Sequence, residues 1–399
     1  MAKKEGRGTT KNIFFQDQEM EFTVLRALMG GYHDGAAIGE VLNVVRNTRK
    51  GDVPSFAREW RKAGAACAER AEHALRDGDR TRAREFYFRA ANYYKSSLIC
   101  LNPKDPEHRE SWRLSRDCFE KAGALMELPM EKIAVAYRGK NLPCYFVPAA
   151  GEGRRPVLVI VTGGEGCNME SWNWAGAYAW KNGYSVLLYE GPGNISTIYE
   201  SGLLMTAASE EPIGKALDAL CARVDVDTYR IALLGISFGG YMAIRAAAHD
   251  PRIHALIPDS PLRDIGRMLS SVFPKFVFSV PDPVFAFIKN QLLPYSDRAT
   301  FDLILWEGGV KTIREGVEFL RDFTVAGFEK NISCPVLGLA GDGEGADFYA
   351  QANEFLANIS STEKSLRIFT NREGAGSHCQ ADNTLLMNQE IIAWLNKVF

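Results

Sequence analysis

The stretch Leu233-Leu234-Gly235-Ile236-Ser237-Phe238-Gly239-Gly240 decides how this 399-residue chain is read. An apolar run from Ile231 leads into Gly235-Ile236-Ser237-Phe238-Gly239, and Tyr241–Ala248 continues as a helix until Asp250-Pro251 stops it. A serine flanked by such glycines, with a strand before and a helix after, is the setting of a nucleophile elbow. The turn is so sharp that the near neighbours have no room for a Cβ, which is why they are glycine. It lifts the hydroxyl above the sheet and turns the following N–H groups inward. The competing reading is a plain tight turn, which does not call for that strand and that helix.

Outward from this element the pattern repeats. Lys132–Tyr137 and Leu142–Val147 read as a strand pair around Gly139, followed by the apolar runs Val157–Thr162, Ser185–Tyr189, Ala255–Ile257, Val336–Ala340 and Ser365–Phe369. Helical stretches lie between most of them, and Thr384–Val398 reads as a closing helix. Apolar strands alternating with helices predict an α/β fold, a mainly parallel sheet covered on both faces. Active sites in such sheets lie at the carboxyl ends of the strands.

A serine nucleophile of this kind is followed in the chain by an acid and then a histidine. Of the six histidines, His33, His73 and His108 precede the sheet, His249 ends the elbow helix and His254 opens the next strand. His378 remains, in the loop Glu373-Gly374-Ala375-Gly376-Ser377-His378. The acid is open between two residues of Gly341-Asp342-Gly343-Glu344, which follows the Val336–Ala340 strand. Asp342 is preferred, as the commoner residue type nearest the strand end. Glu344 is its rival, three residues after the glycine, and Asp347 a remote third. Whichever serves would hold the imidazole tautomer and stabilise the imidazolium.

Two N–H groups should face the developing oxyanion. Phe238, just after the serine, supplies one. Gly164 is the candidate for the other, in the loop Gly163-Gly164-Glu165-Gly166. Glu165 there is either a substrate-handling or proton-transfer group, or a loop residue paired elsewhere. Glu190, in Glu190-Gly191-Pro192-Gly193, is placed at the site entrance, with a structural role favoured over substrate binding.

Composition narrows the function. The chain is 46% hydrophobic and 24% charged with net charge −2, which leaves no basic excess for nucleic acid or an anionic membrane. Met1–Thr10 is polar and basic with no apolar segment behind it, unlike a signal peptide, and no apolar run reaches the roughly 18–20 residues of a bilayer span. A cytoplasmic protein is expected. The eight cysteines show no CxxC pair, so free thiols are expected rather than zinc or a redox dithiol. No metal or organic cofactor is called for, and no phosphate-cradling loop is present.

Before residue 130 helical periodicity dominates. Phe56, Trp60, Gly64, Cys67, Ala71 and Ala74 form one apolar face, and after Asp77-Gly78-Asp79 a second helix carries Tyr87, Ala90, Tyr93, Tyr94 and Leu98. A third helix carries Trp112, Leu114 and Phe119. The hairpin resembles a tetratricopeptide unit, but no second copy follows at a fixed period. The expected organisation is a helical cap over 1–130 and a catalytic unit over 131–399. The latter contains an aromatic-rich insert at about 261–330, with Phe273, Phe276, Phe278, Phe285, Phe287 and Trp306. The insert reads equally as core or as a lid over the site.

Several segments together resemble one branch of the α/β-hydrolases. It includes 2,6-dihydroxypseudooxynicotine hydrolase, the fungal pigment hydrolases that shorten polyketide chains, and relatives of the fermentation–respiration switch protein. The segments are Arg89-Ala90-Ala91-Asn92-Tyr93-Tyr94, Leu142-Pro143-Cys144-Tyr145-Phe146-Val147-Pro148, Gly163-Gly164, the Ser237 elbow and Glu373–Gln380. The resemblance implies an α/β-hydrolase fold capped by the helical segment, a Ser237–His378 pair, and dimers. It also implies cleavage of carbon–carbon bonds beside carbonyls or aryl ketones, or of esters. The expected function is hydrolysis of a carbonyl-activated C–C bond in an aromatic or polyketide-like small molecule. The alternatives are a carboxylesterase or lactonase, and an acyltransferase or cyclase, with the same residues. A catalytically dead interaction protein is the remote alternative.

Overall fold

The computed structural model describes residues 12–99, 101–272 and 280–399. The basic segment Met1–Thr10, Cys100, Phe273, Phe276 and Phe278 lie outside the described residues.

Five helices come first: α1 (Gln18–Met29), α2 (Ile38–Asn47), α3 (Val53–Arg76), α4 (Arg80–Leu98) and α5 (Pro106–Ala124). Their starts are set locally. The side chains of Asp17, Asp52, Asp79 and Asp105 each accept backbone N–H groups of the following first turn, and a proline opens α3 and α5 where no N–H is needed. Gly64 of α3 lies so close to Tyr94 of α4 that a Cβ would stand 2.9 Å from the ring, so the two helices pack at short range. The periodicity from Phe56 to Leu98 thus predicts α3 and α4 correctly. Helices α1 and α2 were not expected.

Eight strands follow: β1 (Glu131–Tyr137), β2 (Lys140–Val147), β3 (Arg155–Val161), β4 (Ser185–Tyr189), β5 (Val226–Ile236), β6 (Ala255–Asp259), β7 (Val336–Gly341) and β8 (Lys364–Phe369). Each matches one of the eight runs read from the sequence, with Thr162 alone falling beyond its strand, and the order across the sheet is β1-β2-β4-β3-β5-β6-β7-β8. The β1–β2 and β2–β4 pairs are antiparallel and all others parallel. Strand β3 shows why both faces must be covered. Leu158 and Ile160 enter one core with Trp60, Tyr93 and Trp172, while Val157, Val159 and Val161 enter another with Ile213, Ile244 and Phe355.

The remaining helices are α6 (Asn168–Ser171), α7 (Ala177–Lys181), α8 (Ile195–Ser201), α9 (Glu210–Cys221), α10 (Phe238–Ala247), α11 (Ile265–Val272), α12 (Asp282–Leu292), α13 (Tyr295–Gly308), α14 (Ile313–Leu320), α15 (Ala346–Asn358) and α16 (Thr384–Val398). In the aromatic insert Phe285 packs on Phe301 as local core, Trp306 lies against Tyr199 and His108, and Phe287 is exposed. Among the described residues, no helix is long and apolar enough to cross a membrane.

Candidate active site

Ser237 sits between the end of β5 and the start of α10 with φ 57° and ψ −121°, a conformation that costs an L-residue energy. The surrounding turn enforces it. A Cβ on Gly235 would lie 2.1 Å from the Gly239 carbonyl oxygen, one on Gly239 2.3 Å from that of Val161, and one on Gly240 2.1 Å from that of Ser260. The glycines are therefore required by the backbone packed around the elbow, and the strain presents Ser237 Oγ at the carboxyl edge of the sheet.

His378 reaches Ser237 from the loop after β8. Its Nε2 lies 2.7 Å from Ser237 Oγ, and its Nδ1 lies 2.5 Å from Glu344 Oε1. Glu344 is completely buried; Ser260 Oγ donates to its Oε1, and the Gly341 N–H donates to its Oε2 at 2.9 Å. The preference for Asp342 is therefore corrected. Asp342 Oδ1 accepts the Asn371 N–H at 2.9 Å and its Nδ2–H at 2.6 Å, tying the end of β7 to the start of the histidine loop. The cause is a turn. Glu344 N–H donates to the Gly341 carbonyl at 3.1 Å, and this brings the fourth residue, not the second, back beneath the strand end. Asp347 is engaged with Arg267.

A cavity of about 40 Å³ over Ser237 is lined by Phe22, Arg26, Gly164, Trp174, Ile236 and His378, among others. Phe22 and Arg26 come from α1, which the sequence reading passed over; a lone arginine within the apolar run Phe22–Met29 was the available signal. Arg26 is 4% exposed. Its Nε and one terminal nitrogen grip both oxygens of Glu170, and the other terminal nitrogen contacts Glu165 Oε1 at 2.5 Å. Lys95 Nζ joins from α4, 2.6 Å from Glu170 Oε1. Burial works against the charge of Arg26, but Glu170 and Glu165 outweigh it and raise its pKa. Burial also opposes the Glu170 carboxylate, yet the two cations hold its pKa below the usual range. Glu165 thus lines the pocket and pairs with Arg26.

Glu190 does not line the cavity, so of its two readings substrate binding is set aside and the favoured structural role fits its contacts. It is fully buried and accepts the Asn168 N–H at 2.6 Å, the Ser196 N–H at 2.9 Å and the Ser196 hydroxyl at 2.9 Å. Burial pushes its pKa up to about 7 in spite of those donors. Two further carboxyls are buried: Asp259, whose role the sequence leaves open, and Glu307. Asp259, at the end of β6, is driven well above the carboxylate range by burial and then by the charge of Glu344. Glu307, on α13 beside Gly164, is driven the same way by burial and then by Glu165.

Gly164 lines the cavity, and its N–H donates to no acceptor among the described residues. Phe238 opens α10, so its N–H has no partner inside the helix. The Gly164 N–H is thus unpaired beside the cavity, while Phe238 is not among the residues that line it. Glu344, His378 and Cys379 are the one cluster of metal-type ligands among the described residues, with donor atoms within 4.8 Å of one another. They do not suit a metal. Both imidazole nitrogens are engaged, and burial, then Asp259 and Glu344, keep the Cys379 thiol protonated, whereas metals bind the thiolate.

An elbow serine, a histidine and a buried carboxylate at the carboxyl edge of this sheet define the chain as a hydrolase of the α/β-hydrolase type. It belongs to the esterase FrsA-like family, whose model matches residues 25–273. It is 28% identical to the 20-hydroxy-prefusarin hydrolase FUS2 of Gibberella moniliformis, over 96% of this chain and 97% of that one. It is 30% identical to the hydrolase ORFZ of Pyricularia oryzae, over 97% and 98% of the two chains. In fold it is similar to the crystal structure of 2,6-dihydroxy-pseudo-oxynicotine hydrolase, with TM-score 0.75, 18% identity, and 94% and 95% of the chains covered.

Proposed function

We propose that this hydrolase cleaves a carbonyl-activated C–C bond in an aryl ketone, β-diketone or polyketide-like substrate, with Ser237 as nucleophile, His378 as base and Glu344 as its orienting acid. The observation that carries the reading is the continuous line Ser237 Oγ–His378 Nε2 (2.7 Å) and His378 Nδ1–Glu344 Oε1 (2.5 Å) beneath a cavity to which Phe22 and Trp174 contribute. His378 Nε2 takes the Ser237 proton as Oγ bonds to the substrate carbonyl carbon. The oxyanion is held by the Gly164 and Phe238 amides. Collapse breaks the C–C bond, and the departing enolate or phenolic carbanion takes the proton from His378. Water, deprotonated by His378, then adds to the acyl ester and releases a carboxylic acid and free Ser237. Helices α1–α5 act as a cap. At about 40 Å³ the cavity is small for a polyketide-like substrate, so binding one calls for Phe22, Arg26 or their helix to shift.

The family description, esterase, favours a second reading in which the leaving group is an alkoxide. Two measurements test these readings. A fluorophosphonate should label Ser237 rapidly in the wild type and fail in His378→Ala; labelling that ignores the substitution would remove the activated serine. A higher kcat/KM on an aryl β-diketone than on a matched aryl ester supports C–C cleavage, and the reverse establishes the esterase.

A further inference from the structure

The Gly163–Gly164 peptide has its carbonyl secured from one side. Asn194 Nδ2 donates to the Gly163 carbonyl oxygen at 2.7 Å and to that of Gly164 at 3.3 Å. The Gly166 N–H also reaches the Gly163 carbonyl, at 3.3 Å. Asn194 is 3% exposed and its amide orientation is fixed, because Oδ1 accepts the Gly191 N–H at 2.9 Å and only Nδ2 is left to donate. The Gly191–Asn194 turn is held in its own right by Asn194 N–H to the Gly191 carbonyl at 3.1 Å. It is also bracketed by buried Glu190 and its bonds to Ser196.

A trans peptide is planar, with its N–H directed opposite to its C=O. Fixing the Gly163 carbonyl on Asn194 therefore directs the Gly164 N–H away from Asn194. That N–H has no acceptor among the described residues, and Gly164 shares the cavity with Ser237. Gly163 itself packs on the nucleophile, since a Cβ there would lie 3.2 Å from Ser237 Cβ and 3.8 Å from Oγ. Hydrogen bonding at the carbonyl also polarises the amide and makes its N–H the stronger donor.

We propose that Asn194 is a positioning residue for the oxyanion hole: it holds the Gly163 carbonyl so that the Gly164 N–H faces the tetrahedral adduct on Ser237. The inference rests on the serine-hydrolase reading above. Asn194 touches no substrate; it acts through the peptide it holds. Since the adduct gains more from that N–H than the ground-state carbonyl does, losing Asn194 should lower kcat and leave KM nearly unchanged.

The test uses the full chain, a 4-nitrophenyl ester as substrate and an aryl trifluoromethyl ketone, which adds reversibly to the serine as an oxyanion. Asn194→Asp keeps the shape and the acceptor for Gly191 but sets a carboxylate against two carbonyls, and Asn194→Ala removes both bonds. Each should lose about tenfold to a hundredfold in kcat, and the ketone's inhibition constant should rise by a similar factor. Folded variants within twofold of wild type in both measurements would overturn the proposal. So would parallel losses in KM and kcat, or failure of both variants to fold, which would make Asn194 architectural. Wild-type protein that neither binds the ketone nor is labelled at Ser237 would overturn the serine-hydrolase reading itself, and this inference with it.

Discussion

Glu344 Oε1 lies 2.5 Å from His378 Nδ1, while Asp342, two residues earlier, turns its carboxylate to Asn371. One short turn thus contains an acid aimed at the imidazole and another that ties two loops together. Replacing Glu344 by Ala should lower kcat/KM on an activated ester by about a thousandfold or more, because the imidazole loses its tautomer and the partner of its charge. Asp342→Asn should cost less than about tenfold and show mainly as a lower Tm. Equal losses in the two variants would refute this division.

The ion cluster formed by Arg26, Lys95, Glu165 and Glu170 joins α1 and α4 to the loop over Ser237. Arg26→Met leaves Glu170 buried with Lys95 as its remaining cation. The expected loss, read by denaturant unfolding, is about 3–5 kcal/mol, the usual result of breaking a buried ion pair from one side. A change under 1 kcal/mol would mean that α1 is not anchored in this way.

Glu190 has a folded-state pKa of about 7, well above that of an exposed glutamate. Between roughly pH 4.5 and 7 the folded chain therefore holds a proton there that the unfolded chain has released, so stability falls as pH rises through this window. The contribution is a few kcal/mol. Glu190→Gln should remove that slope, so the stability difference between wild type and variant should change steadily across the window and level off on either side. A constant difference would show that Glu190 stays ionised.

The glycines of the elbow answer to backbone packed around them. Gly239→Ala places a methyl 2.3 Å from the Val161 carbonyl oxygen and 2.8 Å from that of Thr162, backbone atoms that cannot yield as a side chain would. Destabilisation of about 3 kcal/mol or more is expected, with loss of fluorophosphonate labelling at Ser237. Native-like Tm and labelling in this variant would contradict the geometry.

Thiol reactivity should follow burial. Cys144, Cys167 and Cys379 are buried, and burial raises each of their pKa values; burial also raises the half-buried Cys334, to about 11, while Cys221 is half-buried at the end of α9. Iodoacetamide at pH 8, mapped by mass spectrometry, should modify Cys221 first, Cys334 more slowly, and spare Cys379 until the chain unfolds. Early modification of Cys379 would show that the histidine loop opens.

What the sequence determined by itself is what local pattern encodes. Apolar runs such as Val157–Val161 read as strands buried on both faces, and eight strand runs, most of them separated by helices, admit few architectures. Ser237 was legible because an elbow has to place glycine around its serine, and His378 because chain order left no other histidine. The tertiary structure decided what depends on direction. The choice between Asp342 and Glu344 turns on how one loop folds back on Gly341, which no residue type announces. Arg26 and Asn194 contact the Gly163–Gly166 loop from positions 139 and 31 residues away from their partners. Contacts at such separation leave no periodicity in the chain; they exist only once the sheet has brought those segments to the same edge.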